Sequence, residues 1–328
     1  MRVAVTGATG FIGRHLVDRL LSEGHDVTAL ARNPAAIPLL KARGITAIRG
    51  DVLDRQSLER LMTGSGAVIN LARAKAHGSR PSEAFAVNVT GARNVARAAI
   101  GAGAQRIVHC SSASVYGSRC GLVSETDRLS PDSAYARSKA RGEAALLKEC
   151  GSRIETVVAR ITAVLGPRCR SWLPLFRSAA SGTLRLVGDG TNMHHPADVS
   201  DIVDGLVRCA FVTGAEGFYN LAGPEPLTIS ALRDAMAKAA SRDPEVADRI
   251  RHPKSYLRPM IDAYYHFGVI ADKVAGLRPP LTESVAFLSA NRILDLTRAG
   301  AGLGYVPRVG VGEAAQRTAD WYRREGLL

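Results

Sequence analysis

The stretch Thr6-Gly7-Ala8-Thr9-Gly10-Phe11-Ile12-Gly13 constrains this chain more than any other, because it follows the apolar run Arg2–Thr6 and opens the helical pattern Phe11–Ser22. Three glycines so spaced between a strand and a helix make the turn that a dinucleotide needs. Gly7 permits the tight turn, Gly10 lets the main chain approach a pyrophosphate, and Gly13 lets the helix lie close to the strand. The helix N-terminus adds free N–H groups and partial positive charge. Thr9, Phe11 and Ile12 complete the cofactor-facing turn. A glycine-rich turn without a ligand is the competing reading, and the strand-to-helix placement disfavours it.

An apolar run returns at Asp26–Leu30, and the alternation then continues. The pattern predicts strands at Ile45–Arg49, Ala67–Leu71, Arg106–Cys110 and Thr156–Ile161, with helices at Ser57–Met62, Glu83–Ile100 and Tyr135–Cys150 between them. Serial βα units of this length imply an α/β fold with a Rossmann-type, doubly wound parallel sheet. After Gly166-Pro167 the regularity breaks into Pro/Gly-rich segments with short helices at Ser171–Ala180, Val199–Phe211 and Ile229–Ala239. The expected organisation is a dinucleotide-binding domain over residues 1–165, to which 196–222 return. Residues 166–195 and 223–328 form a smaller, partly interleaved substrate lobe.

With 328 residues, 46% of them hydrophobic, the chain can bury a large core. No apolar run reaches the ~18 residues that span a bilayer, so no membrane span is expected. The five cysteines are odd in number and never form C-x-x-C, which points to a reducing, cytoplasmic setting. The formal charge of +13 is spread along the chain without a Lys/Arg block, so a nucleic-acid partner is not expected. The partner is a small-molecule substrate, and a homodimer is compatible with the sequence.

An NAD-type site usually places a carboxylate about 20 residues beyond the glycines to hold the ribose hydroxyls. Here that place reads Leu30-Ala31-Arg32. A guanidinium there suits a 2′-phosphate, with Arg14 in support, so NADP(H) is favoured over NAD(H). A plain solvated arginine is the alternative.

Tyr135 and Lys139 stand four residues apart on a predicted helix and project from one face. A phenol near an ammonium has a lowered pKa and can exchange a proton with a substrate hydroxyl or carbonyl near neutral pH. The Tyr-x-x-x-Lys spacing is unspecific alone, but Ser111-Ser112 lies 23 residues upstream at the end of the fifth strand, on the sheet edge where such folds bind ligands.

With these residues in place the chain resembles the extended short-chain dehydrogenase/reductase family of nucleotide-sugar epimerases, dehydratases and related ketoreductases. The likeness runs through Thr6–Gly13, Gly50-Asp51-Val52, Asn70-Leu71-Ala72, Asn88-Val89-Thr90-Gly91, Ser111–Gly117, Tyr135–Lys139, Arg160–Pro167, Gly188–Ile202 and Tyr219–Pro226 to Leu303–Pro307. The resemblance implies that Ser112, Tyr135 and Lys139 are catalytic, that Tyr135 and Lys139 also meet the cofactor, and that Asp51-Val52 holds adenine with Leu71 and Ala72 nearby. It makes Asn88 the asparagine that supports the helix and a proton-relay water. Hydride transfer at a secondary alcohol or ketone follows, most naturally as a nucleotide-sugar 4-epimerase or 4-ketoreductase.

Departures from the family pattern bear on the substrate. Ala113-Ser114 stands where dehydratases carry Asp-Glu, so dehydration is disfavoured. Ala163 and His194 replace the asparagine and arginine that touch the substrate pyrophosphate in epimerases, leaving His194 as a lining residue. A reductase of an apolar alicyclic or sterol-like ketone therefore stays open; the aromatic patch Tyr256, Tyr264, Tyr265, Phe267 would suit it as a substrate wall, although packing of the small lobe is the favoured reading of that patch. A non-catalytic cofactor-binding regulator is a third reading, disfavoured by the complete Ser/Tyr/Lys set. Against the apolar reading, Thr156–Gly188 holds five arginines (Arg160, Arg168, Arg170, Arg177, Arg185) and no acid, and Arg73–Arg80 adds Arg73, Lys75 and Arg80. Arg73, Arg168 and Arg177 are the candidate contacts to an anionic substrate, with an arginine-rich background as the alternative. His194-His195 and Asp198 lack further ligands at metal-site spacing, so no metal is expected. Cys110 reads as an inert buried thiol.

Overall fold

A computed structural model describes residues 1–74, 81–184, 186–187, 189–241, 255–256 and 290–328. Seven strands form the central sheet: β1 (Arg2–Thr6), β2 (Asp26–Ala31), β3 (Thr46–Arg49), β4 (Ala67–Asn70), β5 (Arg106–Ser112), β6 (Glu155–Ile161) and β7 (Gly217–Leu221). Their order is β7-β6-β5-β4-β1-β2-β3 and every neighbouring pair is parallel. Strand order reverses between β1 and β4, which opens a crevice at the carboxyl ends of those strands. The short apolar runs at the centre of the sheet, β1 and β4 above all, are therefore buried parallel strands, whereas β3 at the edge stays partly exposed.

Helices cover both faces. Helix α1 (Phe11–Ser22) buries Gly13, Leu16, Val17 and Leu20, a 3, 1, 3 spacing that turns one stripe to the sheet. Helix α2 (Ala36–Lys41), which the sequence pattern did not predict because Pro38 interrupts it, joins β2 to β3. Helix α3 (Arg55–Met62) starts where Asp54 accepts from the Gln56 N–H. The expected helix over 83–100 is three pieces: α4 (Pro81–Phe85), a π turn over Ala86–Thr90, and α5 (Gly91–Gly101). Helix α6 (Ala134–Cys150) begins at Ser133, whose Oγ accepts from the Ala136 N–H at 3.1 Å. Leu58, Val95, Ile107 and Leu146 fill the layer between the sheet and α3, α5 and α6.

The opposite layer joins α1 to α8 (Val199–Phe211) through Val17, Leu20, Ile202 and Leu206. Beyond them lies a second core of Trp172, Phe176, Met236 and Tyr322, built by α7 (Leu173–Ala180), α9 (Ile229–Ala240) and α11 (Val311–Arg324). Helix α10 (Thr297–Leu303) packs with the sheet core through Ala299 and Leu303, and Tyr305 donates to the Ala222 carbonyl at 2.7 Å. The chain therefore crosses between the two cores repeatedly after residue 165.

Candidate active site

The glycine turn is built as its spacing predicts. Gly10 N–H closes it onto the Gly7 carbonyl at 2.9 Å, and Gly7 has φ +70°. A Cβ at Gly7 would sit 2.8 Å from the Leu71 carbonyl, and one at Gly13 would sit 2.1 Å from the Gly7 oxygen. Side chains are thus excluded where β1, α1 and the end of β4 meet. Gly10 caps α1 without a side-chain bond and the first turn has no acid, so its N–H groups stay available to an anion. The cradle fits the pyrophosphate of a dinucleotide. Thr9 is tied through its carbonyl to Arg14 at 3.1 Å, and Phe11 and Ile12 are half-buried behind the turn.

Along the same edge, Asp51 accepts from the Leu53 N–H at 2.9 Å, and Arg32, at the end of β2, lies 3.7 Å from its other oxygen. Val52 is buried and faces Gly91, where a Cβ would come within 2.7 Å. Leu71 N–H bonds the Thr6 carbonyl at 3.2 Å, and Ala72 N–H bonds Thr6 Oγ1 at 3.2 Å. These residues share one edge of the crevice.

Lys139 is 2% exposed, and its Nζ donates to the Cys110 carbonyl at 2.6 Å. That bond places one face of α6 against the end of β5, two residues short of Ser112. Burial lowers the Lys139 pKa, opposed by Cys110 and Glu143, while the Arg73 charge lowers it further. Tyr135 occupies the first turn of α6 and is half-buried. Its carbonyl accepts from Ser138 Oγ at 2.7 Å, and Ser138 Oγ accepts from Asn88 Nδ2 at 2.8 Å. Asn88 Oδ1 in turn holds the Ala74 N–H at 3.0 Å, so one buried amide fixes both the start of α6 and the loop after β4. Ser112 Oγ accepts from the Ser114 N–H at 3.2 Å, which leaves its hydroxyl proton free to donate.

Sequence reasoning missed the support beneath this set. Glu143, one turn beyond Lys139, forms a buried pair with Arg160 at 2.9 Å and accepts from Ser111 Oγ. Arg160 Nη1 also donates to Tyr116 at 2.9 Å, and Tyr116 donates to Asn220 at 2.8 Å. Arg160, counted among the arginines of the substrate cleft, is therefore buried structure. Its neighbours are likewise engaged: Arg168 with Asp18 on α1 at 2.8 Å, and Arg177 with the Leu327 carbonyl at 2.8 and 3.1 Å. Those partners lie about 150 residues away, so the local charge pattern could not reveal them. Arg73 is exposed at the strand edge, bonded to the Ala74 carbonyl at 3.3 Å. His194 is buried beside Asn192, and His195 bridges the Gly223 carbonyl and the Leu294 N–H. Asp198 caps α8. No group of three or more metal-binding side chains occurs among the described residues. Lys75, Arg80, Arg185, Tyr264, Tyr265 and Phe267 lie outside those residues, as does the Tyr256 side chain.

Residues 3–222 match the NAD dependent epimerase/dehydratase family, and the chain belongs to that family. A 2-alkyl-3-oxoalkanoate reductase of Stenotrophomonas maltophilia (strain K279a) is 31% identical over 97% of this chain and 98% of its own. A UDP-glucose 4-epimerase of Mycolicibacterium smegmatis is 29% identical over 99% of both chains. Among solved structures, MoeE5 in complex with UDP-glucose and NAD is 27% identical with a TM-score of 0.71 over 99% of both chains. The chain is an enzyme of the short-chain dehydrogenase/reductase type, in the oxidoreductase and epimerase class.

Proposed function

We propose that this enzyme interconverts a secondary alcohol and a ketone, with NADP(H) preferred and a nucleotide sugar as substrate. The observation that supports this reading most is the buried Lys139–Cys110 contact, which ties the helix bearing Tyr135 to the strand bearing Ser112. Bound cofactor supplies or accepts a hydride at the carbinol carbon. Tyr135 moves the proton on the substrate oxygen, Ser112 donates a hydrogen bond to that oxygen, and Lys139 favours the phenolate by its charge. Gly7, Gly10, Gly13, Asp51, Val52, Leu71 and Ala72 are the residues that would hold the dinucleotide. Arg32 supports NADP(H), since its side chain is 69% exposed at the end of β2 and, among the described residues, pairs with Asp51 at the long distance of 3.7 Å. Calorimetric titration of both cofactors tests this: selective loss of NADP(H) affinity in Arg32→Ala is expected, and equal affinities in the parent would refute it.

The nucleotide-sugar substrate is supported by the likeness to the UDP-glucose complex over nearly the whole chain. A second reading, reduction of a 3-oxo acid or sterol-like ketone, is favoured by the engagement of Arg168 and Arg177 elsewhere. Thermal shifts of cofactor-loaded protein with UDP, dTDP and a 2-alkyl-3-oxoalkanoate separate the two. Stabilisation by the nucleoside diphosphates that weakens with salt supports the first, and stabilisation by the oxo acid alone establishes the second. A cytoplasmic site of action accords with five free cysteines, four of them buried.

A further inference from the structure

Arg292 lies outside the arginine-rich stretches of the sequence, on a segment that threads between three parts of the site. Its main-chain N–H donates to the Met193 carbonyl at 2.8 Å, beside His194, and the Leu294 N–H meets His195 Nδ1 at 3.2 Å. Its Nε donates to the Gly117 carbonyl at 2.9 Å. Gly117 closes the short turn Ala113–Tyr116 that starts at Ser112, and its φ of +72° suits glycine alone. A Cβ there would stand 2.2 Å from the Ser130 carbonyl oxygen and 3.7 Å from Asp132 Oδ2, so the loop ahead of α6 packs on the same glycine, and Tyr135 follows that loop directly. The segments bearing Ser112, Tyr135 and His194 therefore converge around one guanidinium.

The charge of that group is not matched as it is in other buried arginines. Arg106, Arg160 and Arg233 each hold a carboxylate, at 2.5, 2.9 and 2.6 Å. Arg292 is half-buried, and among the described residues its side chain bonds only to a main-chain carbonyl. Burial pushes its pKa below the ordinary arginine value, and Asp132 opposes this through space without pairing with it. A desolvated cation without a paired anion is costly, which calls for an anion from outside the chain. With Nε taken by Gly117, the part left to a ligand is the Nη1/Nη2 end of the fork. Two nitrogens in one plane match the two oxygens of a carboxylate.

We propose that Arg292 is the anion anchor of the substrate pocket and takes a carboxylate that the substrate carries close to its reacting carbon, which makes Arg292 a specificity-determining residue. A 3-oxo acid and a hexuronate ring both carry such a group. A pyrophosphate, with its greater charge, needs more than this one cation, and Arg168 and Arg177 are bound elsewhere. The nearness of the carboxylate to the reacting carbon rests on the alcohol–ketone reading above, whereas the anion site does not.

Equilibrium binding to NADP⁺-loaded protein tests the proposal with paired probes: a 2-alkyl-3-oxoalkanoate against its methyl ester, and UDP-glucuronate against UDP-glucose. One acid should bind about tenfold or more tightly than its neutral counterpart, and which acid does so identifies the source of the carboxylate. Arg292→Gln should erase the difference by weakening the acid alone, about ten- to a hundredfold, with NADP⁺ and the neutral probe bound as before. Arg292→Lys should recover only part of the loss, because the charge returns without the fork. Acids bound no more tightly than their neutral partners, neither acid bound at millimolar concentration, or undiminished acid binding by folded Arg292→Gln would each overturn the proposal. An acid that binds through Arg292 but exchanges no hydride with the cofactor would leave the anion site standing and remove the alcohol–ketone reading instead.

Discussion

Lys139 Nζ and the Cys110 carbonyl oxygen lie 2.6 Å apart, both enclosed between α6 and the end of β5. The bond joins the helix bearing Tyr135 to the strand bearing Ser112, and it takes an ammonium out of water.

Replacing Lys139 with Met keeps the length of the side chain and removes its charge. Removing a hydrogen bond from a charged group costs roughly 1.5–3 kcal/mol. Cofactor affinity should fall by roughly ten- to a hundredfold and turnover with it, while the melting temperature changes little because a buried charge also disappears. Calorimetry of the variant with NADP(H) checks this. Unaltered affinity would place the ammonium away from the nucleotide.

Gly13→Ala tests the cradle. The new methyl would lie 2.1 Å from the Gly7 carbonyl, a contact that only a shift of α1 or of the turn can relieve. A loss of about 1–3 kcal/mol in stability is expected, together with loss of the thermal shift produced by NADP(H). A variant that melts and binds like the parent would show that the turn is looser than described.

How much of this could be read from the chain varies with the range of the interaction. The alternation of β1, α1 and β2 and the three glycines are local signals, and they appear where the sequence puts them. The π turn at 86–90 was invisible because Glu83–Ile100 keeps a helical pattern throughout, although that turn presents Asn88 to Ser138 and Ala74. Strand β7, Gly217–Leu221, did not stand out because a glycine heads it and Asn220 interrupts its apolar run. Arg168, Arg177 and Arg160 were legible as charges, but their partners are set by tertiary contact. The hydrogen-bonded rung of Thr6, Asn70 and His109 across β1, β4 and β5 left one sign, a polar residue within or at the end of each of three apolar runs, and only register turns that sign into a connected row.

Three histidines predict a dependence of stability on pH. His15, His109 and His195 are all held below their ordinary pKa, chiefly by burial. In the unfolded chain they titrate near ~6.5, so below that pH the unfolded state binds more protons and stability falls. The slope approaches about 1.4 kcal/mol per pH unit for each histidine that stays neutral while folded. Melting temperatures from pH 8 to 5 should drop below pH 6.5, and less steeply in His109→Gln. A flat curve to pH 5 would mean that these rings accept protons in place.

The central claim is that Tyr135 moves the proton during hydride transfer at a secondary alcohol or ketone. Its most direct test incubates 4-deuterated NADPH with keto substrates of the nucleotide-sugar and 3-oxo-acid classes and follows deuterium into the product by mass spectrometry, in parent and Tyr135→Phe protein. The account predicts deuterium at the carbinol carbon for one class, with the rate in the variant down by roughly 10²–10⁴-fold and NADPH binding nearly unchanged. Transfer by Tyr135→Phe within about threefold of the parent, against that expected loss, would contradict it.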